Sequence, residues 1–244
     1  MKPKVFLEIG HGGKDVGAVG NGFNESDLNL SIGLSCNEVL LRHGVGVLLS
    51  RTKDENDDIN EAIKECNEFS PLLAAGIHCN AGGGDGAEVY HTIYAGVGKE
   101  LADDILEEIT KIGQNSRGIK TRPNTSGRDY YAFIRNTDCP SVIVECAFID
   151  NKNDIAIIDT AEEQAKMGVA IAKGILKNLD IKYIEKTLKT ENNAVDNTPE
   201  SYAAEAVKWA IDNGILKGDE NGNYKLHSNI SRQDMIVLLY RAMQ

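Results

Sequence analysis

Val5-Phe6-Leu7-Glu8-Ile9-Gly10-His11-Gly12-Gly13 begins as a short run of β-forming residues and breaks at Gly10 into glycines that surround a histidine. A run of this kind, closed by turn residues, predicts a strand over Val5–Ile9. Glycines after a strand let the backbone turn sharply and leave room for a ligand beside His11. The pattern recurs along the chain. Val45–Leu49, Leu72–Ile77, Glu88–Tyr94 and Val142–Phe148 are predicted strands, and segments 25–43, 57–68, 98–113 and 160–180 are predicted helices. Leu101, Ile105, Ile109 and Ile112 share one helix face, as do Gly168, Ile171, Ile175 and Leu179, so both helices can pack on a sheet. The alternation predicts an α/β fold with a mixed, largely parallel sheet flanked by helices.

The chain of 244 residues is 41% hydrophobic and 26% charged, the balance of a folded protein. Residues 1–180 form the predicted main domain. The polar segment 181–199 reads as a linker, and 200–244 as a small helical module with helices over Glu200–Asn213, ended by Gly214, and Ser231–Ala242, capped by Ser231. A formal net charge of −11 argues against a nucleic-acid partner. No stretch approaches the roughly 18 apolar residues of a membrane span. The first apolar run, broken by Glu8, is too short for the core of an export signal, so a chain retained in the cytoplasm until released is expected. Cys36, Cys66, Cys79, Cys139 and Cys146 are odd in number and lack a CxxC pair, which predicts reduced thiols.

Four polar residues stand out by context. His11 follows the first strand, Glu25 opens a predicted helix after Asn24, His78 ends the strand Leu72–Ile77, and Glu145 interrupts the apolar Ser141–Phe148. The carboxyl ends of neighbouring strands in an α/β sheet converge on one crevice, so His11, His78 and Glu145 can meet there. Two histidines and a carboxylate, with a fourth position open to water, commonly hold zinc in hydrolases. His11, Glu25 and His78 fit that set, which leaves Glu145 as general base. Plainer readings stand beside these: a histidine in a glycine loop can be structural, and Glu25 can serve a helix N-terminus through its dipole. Glu145 is harder to explain away, because an unpaired carboxylate in a buried strand is costly unless it opens into a polar cavity. His43 reads as a helix C-terminal residue, His91 as a strand residue and His227 as part of the small module. Strand alternation turns Cys79 and Cys146 away from the site and into the core.

Val5–Gly13 with Asp15-Val16-Gly17-Ala18, then Asn24–Leu30, Ile77–Ala81 and Pro140–Asn151, taken in order, resemble the zinc N-acetylmuramoyl-L-alanine amidases of the amidase-3 family. The resemblance implies that His11, Glu25 and His78 hold Zn2+ and that Glu145 activates water and returns its proton to the leaving amine. The bond implied is the amide between N-acetylmuramic acid and L-alanine of peptidoglycan. Cys79 departs from the small or aliphatic residue expected there, which suggests sensitivity to thiol reagents. Arg135 and Tyr130 are candidates for contacting the stem peptide.

Ala206–Tyr224 with Ile230–Asp234 resembles a single S-layer-homology-type repeat, implying a secondary wall polymer as partner. One weak copy per chain would gain avidity by forming a homo-oligomer. Trp209 has an alternative reading as the anchor of a small core. An amidase with a wall-binding module and no export signal is similar to phage or prophage endolysins, which act on the wall after release. A host autolysin or sporulation amidase, a non-catalytic wall-binding protein and a different zinc peptidase are the alternatives.

Overall fold

The computed structural model describes residues 2–185, 197–199, 201–219, 222–226 and 232–242. In chain order, β1 (Lys4–Ile9) is followed by the hairpin strands β2 (Val19–Gly20) and β3 (Phe23–Asn24), helix α1 (Glu25–Arg42), β4 (Gly46–Leu49), α2 (Ile59–Phe69) and β5 (Leu73–Asn80). Then come β6 (Ala87–His91), α3 (Val97–Lys111), β7 (Ser116–Lys120), α4 (Ala132–Asn136), β8 (Ser141–Phe148), α5 (Lys152–Ile155) and α6 (Ala161–Asn178). Helices α7 (Ala204–Asp212) and α8 (Arg232–Ala242) follow. The chain divides into two compact units, Met1–Ile184 and Glu185–Gln244.

The first unit is built on a six-stranded sheet in the order β4-β1-β5-β8-β6-β7. Its first four strands run parallel, while β6 is antiparallel to β8 and parallel to β7, so the expected mixed, largely parallel sheet is what forms. Both faces are covered, as parallel strands require. On one face Val5, Leu7, Ile9, Ala75, Ile77, Val142 and Val144 meet the apolar sides of α1, α3 and α6 in the main core. On the other, Phe6, Ala74 and Ile143 pack with Ala62, Ile63 and Cys66 of α2 and with Phe133 and Ile134 of α4. This second cluster covers only the amino-terminal half of β1, β5 and β8. Farther along the same strands, on the same face, come Glu8, His78 and Glu145.

Two predicted boundaries shift for a physical reason. β5 extends to Asn80 because its pairing with β8 continues past His78, with a register change between His78 and Asn80, so His78 lies within the strand rather than beyond it. β6 stops at His91, where Thr92 and Ile93 turn toward Asp129. The edge strand β7 (Ser-Arg-Gly-Ile-Lys) has no apolar run to announce it. Helix α6 starts on a Thr160–Glu163 capping box.

In the second unit, Asn197 ties α7's approach to a tight turn, donating to Gly222 O and accepting from Tyr224 N. Arg241 of α8 donates to Ile215 O. Trp209 is 56% exposed, so it is not the buried anchor that its position suggested. His227, Ser231 and residues 186–196 of the expected linker lie outside the described residues.

Helix α6 packs on α1 at Gly168, where an added Cβ would lie 2.4 Å from Ile32 O, and on α3 at Gly174, where it would lie 2.4 Å from Ile105 Cα. Both obstacles are backbone and cannot rotate away. Gly168→Val is expected to destabilise the first unit by about 3 kcal/mol, measured by urea unfolding; a midpoint unchanged from wild type would show that the helices are not in such close contact.

Candidate metal centre

His11 sits just after β1 in the left-handed region of backbone space, at φ 64°, an uncommon conformation for a residue with a side chain. Arg51 holds this turn. It is 2% exposed, and its guanidinium donates to Ile9 O, Gly10 O and Ser26 O, tying the end of β1 to the first turn of α1. Asn29 adds a bond to Gly10 O. Glu25, the first residue of α1, is buried, with Oε2 accepting from Ala18 N and Oε1 from Cys79 N.

Both histidines converge on that second oxygen. His11 Nε2 lies 3.3 Å and His78 Nδ1 3.2 Å from Glu25 Oε1. The three donor atoms all fall within 4.8 Å of one another, close enough to hold a metal ion. The remaining nitrogen of each ring has its own carboxylate: His11 Nδ1 is 2.9 Å from Asp15 Oδ2, and His78 Nε2 is 3.0 Å from Glu8 Oε2. A carboxylate on the outer nitrogen fixes ring orientation and tautomer and makes the inner nitrogen a better ligand. Space for this arrangement comes from missing side chains. A Cβ on Gly10 would lie 2.0 Å from His78 Cε1, and one on Gly76 would lie 2.5 Å from Glu8 Oε2.

Glu145 is placed by register, opposite His78 on β5 and Glu88 on β6. It lines a cleft of about 400 Å³ together with His11, His78, Asp15, Tyr131 and Phe133. Of the four residues singled out in the sequence, His11, His78 and Glu145 therefore line one cleft, and Glu25 meets the two histidines from its buried position. Glu8, Asp15, Asp57 and Arg51 were not anticipated. Glu8 carried a readable signal, a charge inside an apolar strand, which is the same signal that marked Glu145. Arg51 had none.

The electrostatics follow from burial and pairing. Burial alone would raise the Glu25 carboxyl, but hydrogen bonds from His11 and His78 outweigh it and hold the group well below its usual range. The Glu25 carboxylate in turn raises His11 to about 9. Burial pulls His78 down, yet the charges and hydrogen bonds of Glu8 and Glu25 leave it well above the usual imidazole value. Burial pushes the Glu145 carboxyl up to about 7. Asp57, buried beside Glu8, is raised to about 7 as well.

A profile of N-acetylmuramoyl-L-alanine amidases matches residues 5–177, well over half of the chain. The chain belongs to the N-acetylmuramoyl-L-alanine amidase family. This amidase is 33% identical over 230 residues to the amidase CwlM of Bacillus licheniformis, covering 88% of this chain and 85% of that protein. It is 32% identical to the endolysin of Bacillus phage SPP1, covering 75% of this chain and 68% of that one. Its fold superposes on Cwp6 from Clostridium difficile with a TM-score of 0.72 and 35% identity, over 73% of this chain and 30% of that chain. Residues 195–236 match the S-layer homology domain.

One expectation about the amidase is corrected by its structure. Cys79 is 3% exposed, and its hydrogen bond with Cys146, together with burial, pushes its thiol well above the usual range, so thiol reagents do not find a reactive group there. Arg135 Nη1 donates to Asp129 O and Tyr130 O, at 2.8 and 2.7 Å, and so braces the loop that carries Tyr130.

A histidine must be neutral to ligate, and His11 in the metal-free protein keeps its proton until the pH approaches about 9. Uptake of a divalent metal ion at about pH 7.5 is therefore expected to release protons, with affinity rising as the pH is raised toward 9 and falling below neutrality. Calorimetry in two buffers of different ionisation enthalpy measures this; a binding heat independent of buffer would contradict it.

Proposed function

We propose that this amidase cuts the N-acetylmuramoyl–L-alanine bond with His11, Glu25 and His78 as zinc ligands and Glu145 as general base. The observation that carries this assignment is the meeting of two imidazole nitrogens on one Glu25 oxygen, each ring backed by its own carboxylate. Two nitrogens and one carboxylate oxygen suit zinc in a hydrolase, and the donors lie close enough to share an ion. When bound, zinc supplies Lewis acidity to the scissile carbonyl and acidifies water.

The chain's own residues supply the rest. Asp15 and Glu8 hold the outer nitrogens of His11 and His78, leaving the inner lone pairs directed at the site. Glu145 takes a proton from the attacking water as the new C–O bond forms. It then delivers that proton to the alanine nitrogen as the C–N bond breaks, so the products are the lactyl carboxylic acid and a free amine. A carboxyl held near 7 by burial is suited to both transfers, since neither direction is strongly uphill at neutral pH.

Glu145→Gln is expected to lower the rate of muramoyl-peptide cleavage in purified sacculi by about 10²- to 10⁴-fold, with zinc content unchanged. Chelator is expected to abolish wild-type activity and added zinc to restore it. Near-normal activity in Glu145→Gln would remove Glu145 from its role.

We further propose residues 1–180 as the catalytic domain, 181–199 as linker and 200–244 as a module that binds a secondary wall polymer, with self-association adding avidity. The match of residues 195–236 to the S-layer homology domain supports the module's partner. The role we favour is that of an endolysin, held in the cytoplasm and acting on the wall after release; the similarity to the SPP1 endolysin supports it. In cells expressing the chain, cultures are expected to clear only when a membrane-permeabilising holin is co-expressed. Clearing without holin would point to an exported autolysin instead.

A further inference from the structure

Beside Glu145, away from the metal ligands, the sheet carries a concentration of positive charge that catalysis does not use. Glu88 lies directly opposite Glu145 in the antiparallel β6–β8 pair, and opposed residues project from the same face. Glu88 is 3% exposed and therefore needs a counter-charge. It has more than it needs: Arg117 Nε and Lys120 Nζ, both from β7, converge on its Oε1, while the Tyr90 hydroxyl donates to Oε2. Two cations against one carboxylate leave a surplus beside the strand pair that carries Glu145.

Next in the row is Arg122, whose guanidinium lies 3.8 Å from the centre of the Tyr130 ring and donates to the Tyr131 hydroxyl. Tyr131 lines the catalytic cleft and stacks edge-on with both Tyr90 and Tyr130. Among the described residues, Arg122 forms no ion pair with a carboxylate. A guanidinium held over an aromatic ring is oriented at little entropic cost and keeps donors for a planar anion. The other end of the cleft is acidic, lined by Asp15 and Asp58. In a chain of net charge −11, such a polarised cleft orients its substrate.

We propose that Arg122, supported by the surplus charge of Arg117 and Lys120, binds a carboxylate of the stem peptide and so sets which way the substrate lies across Glu145. This rests on the amidase reading. The muramoyl side contributes its carboxyl to the scissile amide, whereas a peptide attached through its amino end keeps its free carboxylates on the leaving-amine side. An anionic peptide is drawn to the basic lip and repelled from the acidic wall. The leaving amine then departs toward Tyr131, and the sugar lies toward Asp15 and Asp58.

The test uses two N-acetylmuramoyl peptides of the same sequence, one with all peptide carboxyls free and one with all of them amidated, assayed with the full-length zinc-loaded enzyme. Wild type is expected to prefer the free-carboxyl substrate by at least about tenfold in kcat/KM. Arg122→Gln should bring the ratio close to unity, with Arg122→Lys intermediate because it keeps the charge and loses the fork. The ratio is insensitive to any loss of folded protein. A ratio unchanged by Arg122→Gln, or a wild type indifferent to amidation, overturns the proposal while leaving the amidase reading intact. Failure of wild type to cleave either substrate overturns both.

Discussion

A carboxylate buried at the start of a helix must find positive charge or give up its own. Glu25 finds it in two imidazoles delivered by different parts of the fold, His11 from the turn after β1 and His78 from β5. Each component constrains the others. The histidines hold Glu25 ionised, Glu25 raises His11, and Glu8 with Glu25 raises His78. The site is thus preorganised by the same ion pairs that a metal would displace.

That arrangement is possible because the two faces of the sheet are filled differently. One face is apolar along its whole length under α1, α3 and α6; the other is apolar only where α2 and α4 cover it. Past the cover, alternation brings Glu8, His78 and Glu145 to the surface of a cleft instead of a core. Glycines do the rest: Gly76 leaves room for the Glu8 carboxylate and Gly10 for the His78 ring. Arg51, spending its guanidinium on backbone carbonyls, keeps the strained His11 turn in place from beneath.

The cleft is also polarised. Acidic groups gather at the metal end, and Arg117, Lys120 and Arg122 gather beyond Glu145, contributed by the edge strand and the loop after it. Glu145 stands between the two fields. Its raised carboxyl reflects burial first and the nearby carboxylates after that, against the opposing pull of His78. Among the described residues no dedicated hydrogen-bonded partner holds the Glu145 carboxyl, so its surroundings tune it.

Much of this was legible along the chain. Periodicity marked the major strands and helices because a period of two or of 3.6 is a local property. His11, His78 and Glu145 were legible because each is a polar residue where its neighbours demand an apolar or turn residue, and Glu25 through its place at a helix start within the family-like Asn24–Leu30. Glu8 obeyed the same rule and was passed over as a break in an apolar run. The short β7, with no apolar alternation, and Arg51, whose partners are all backbone, left no local trace. What the amino-acid sequence determined by itself was the class of fold and which side chains are the candidates for chemistry. The tertiary structure alone decided that two imidazoles share one carboxylate oxygen, that each has a carboxylate behind it, and that a basic lip faces an acidic wall. These depend on strand order and register between segments far apart in the chain, and local pattern carries no information about either.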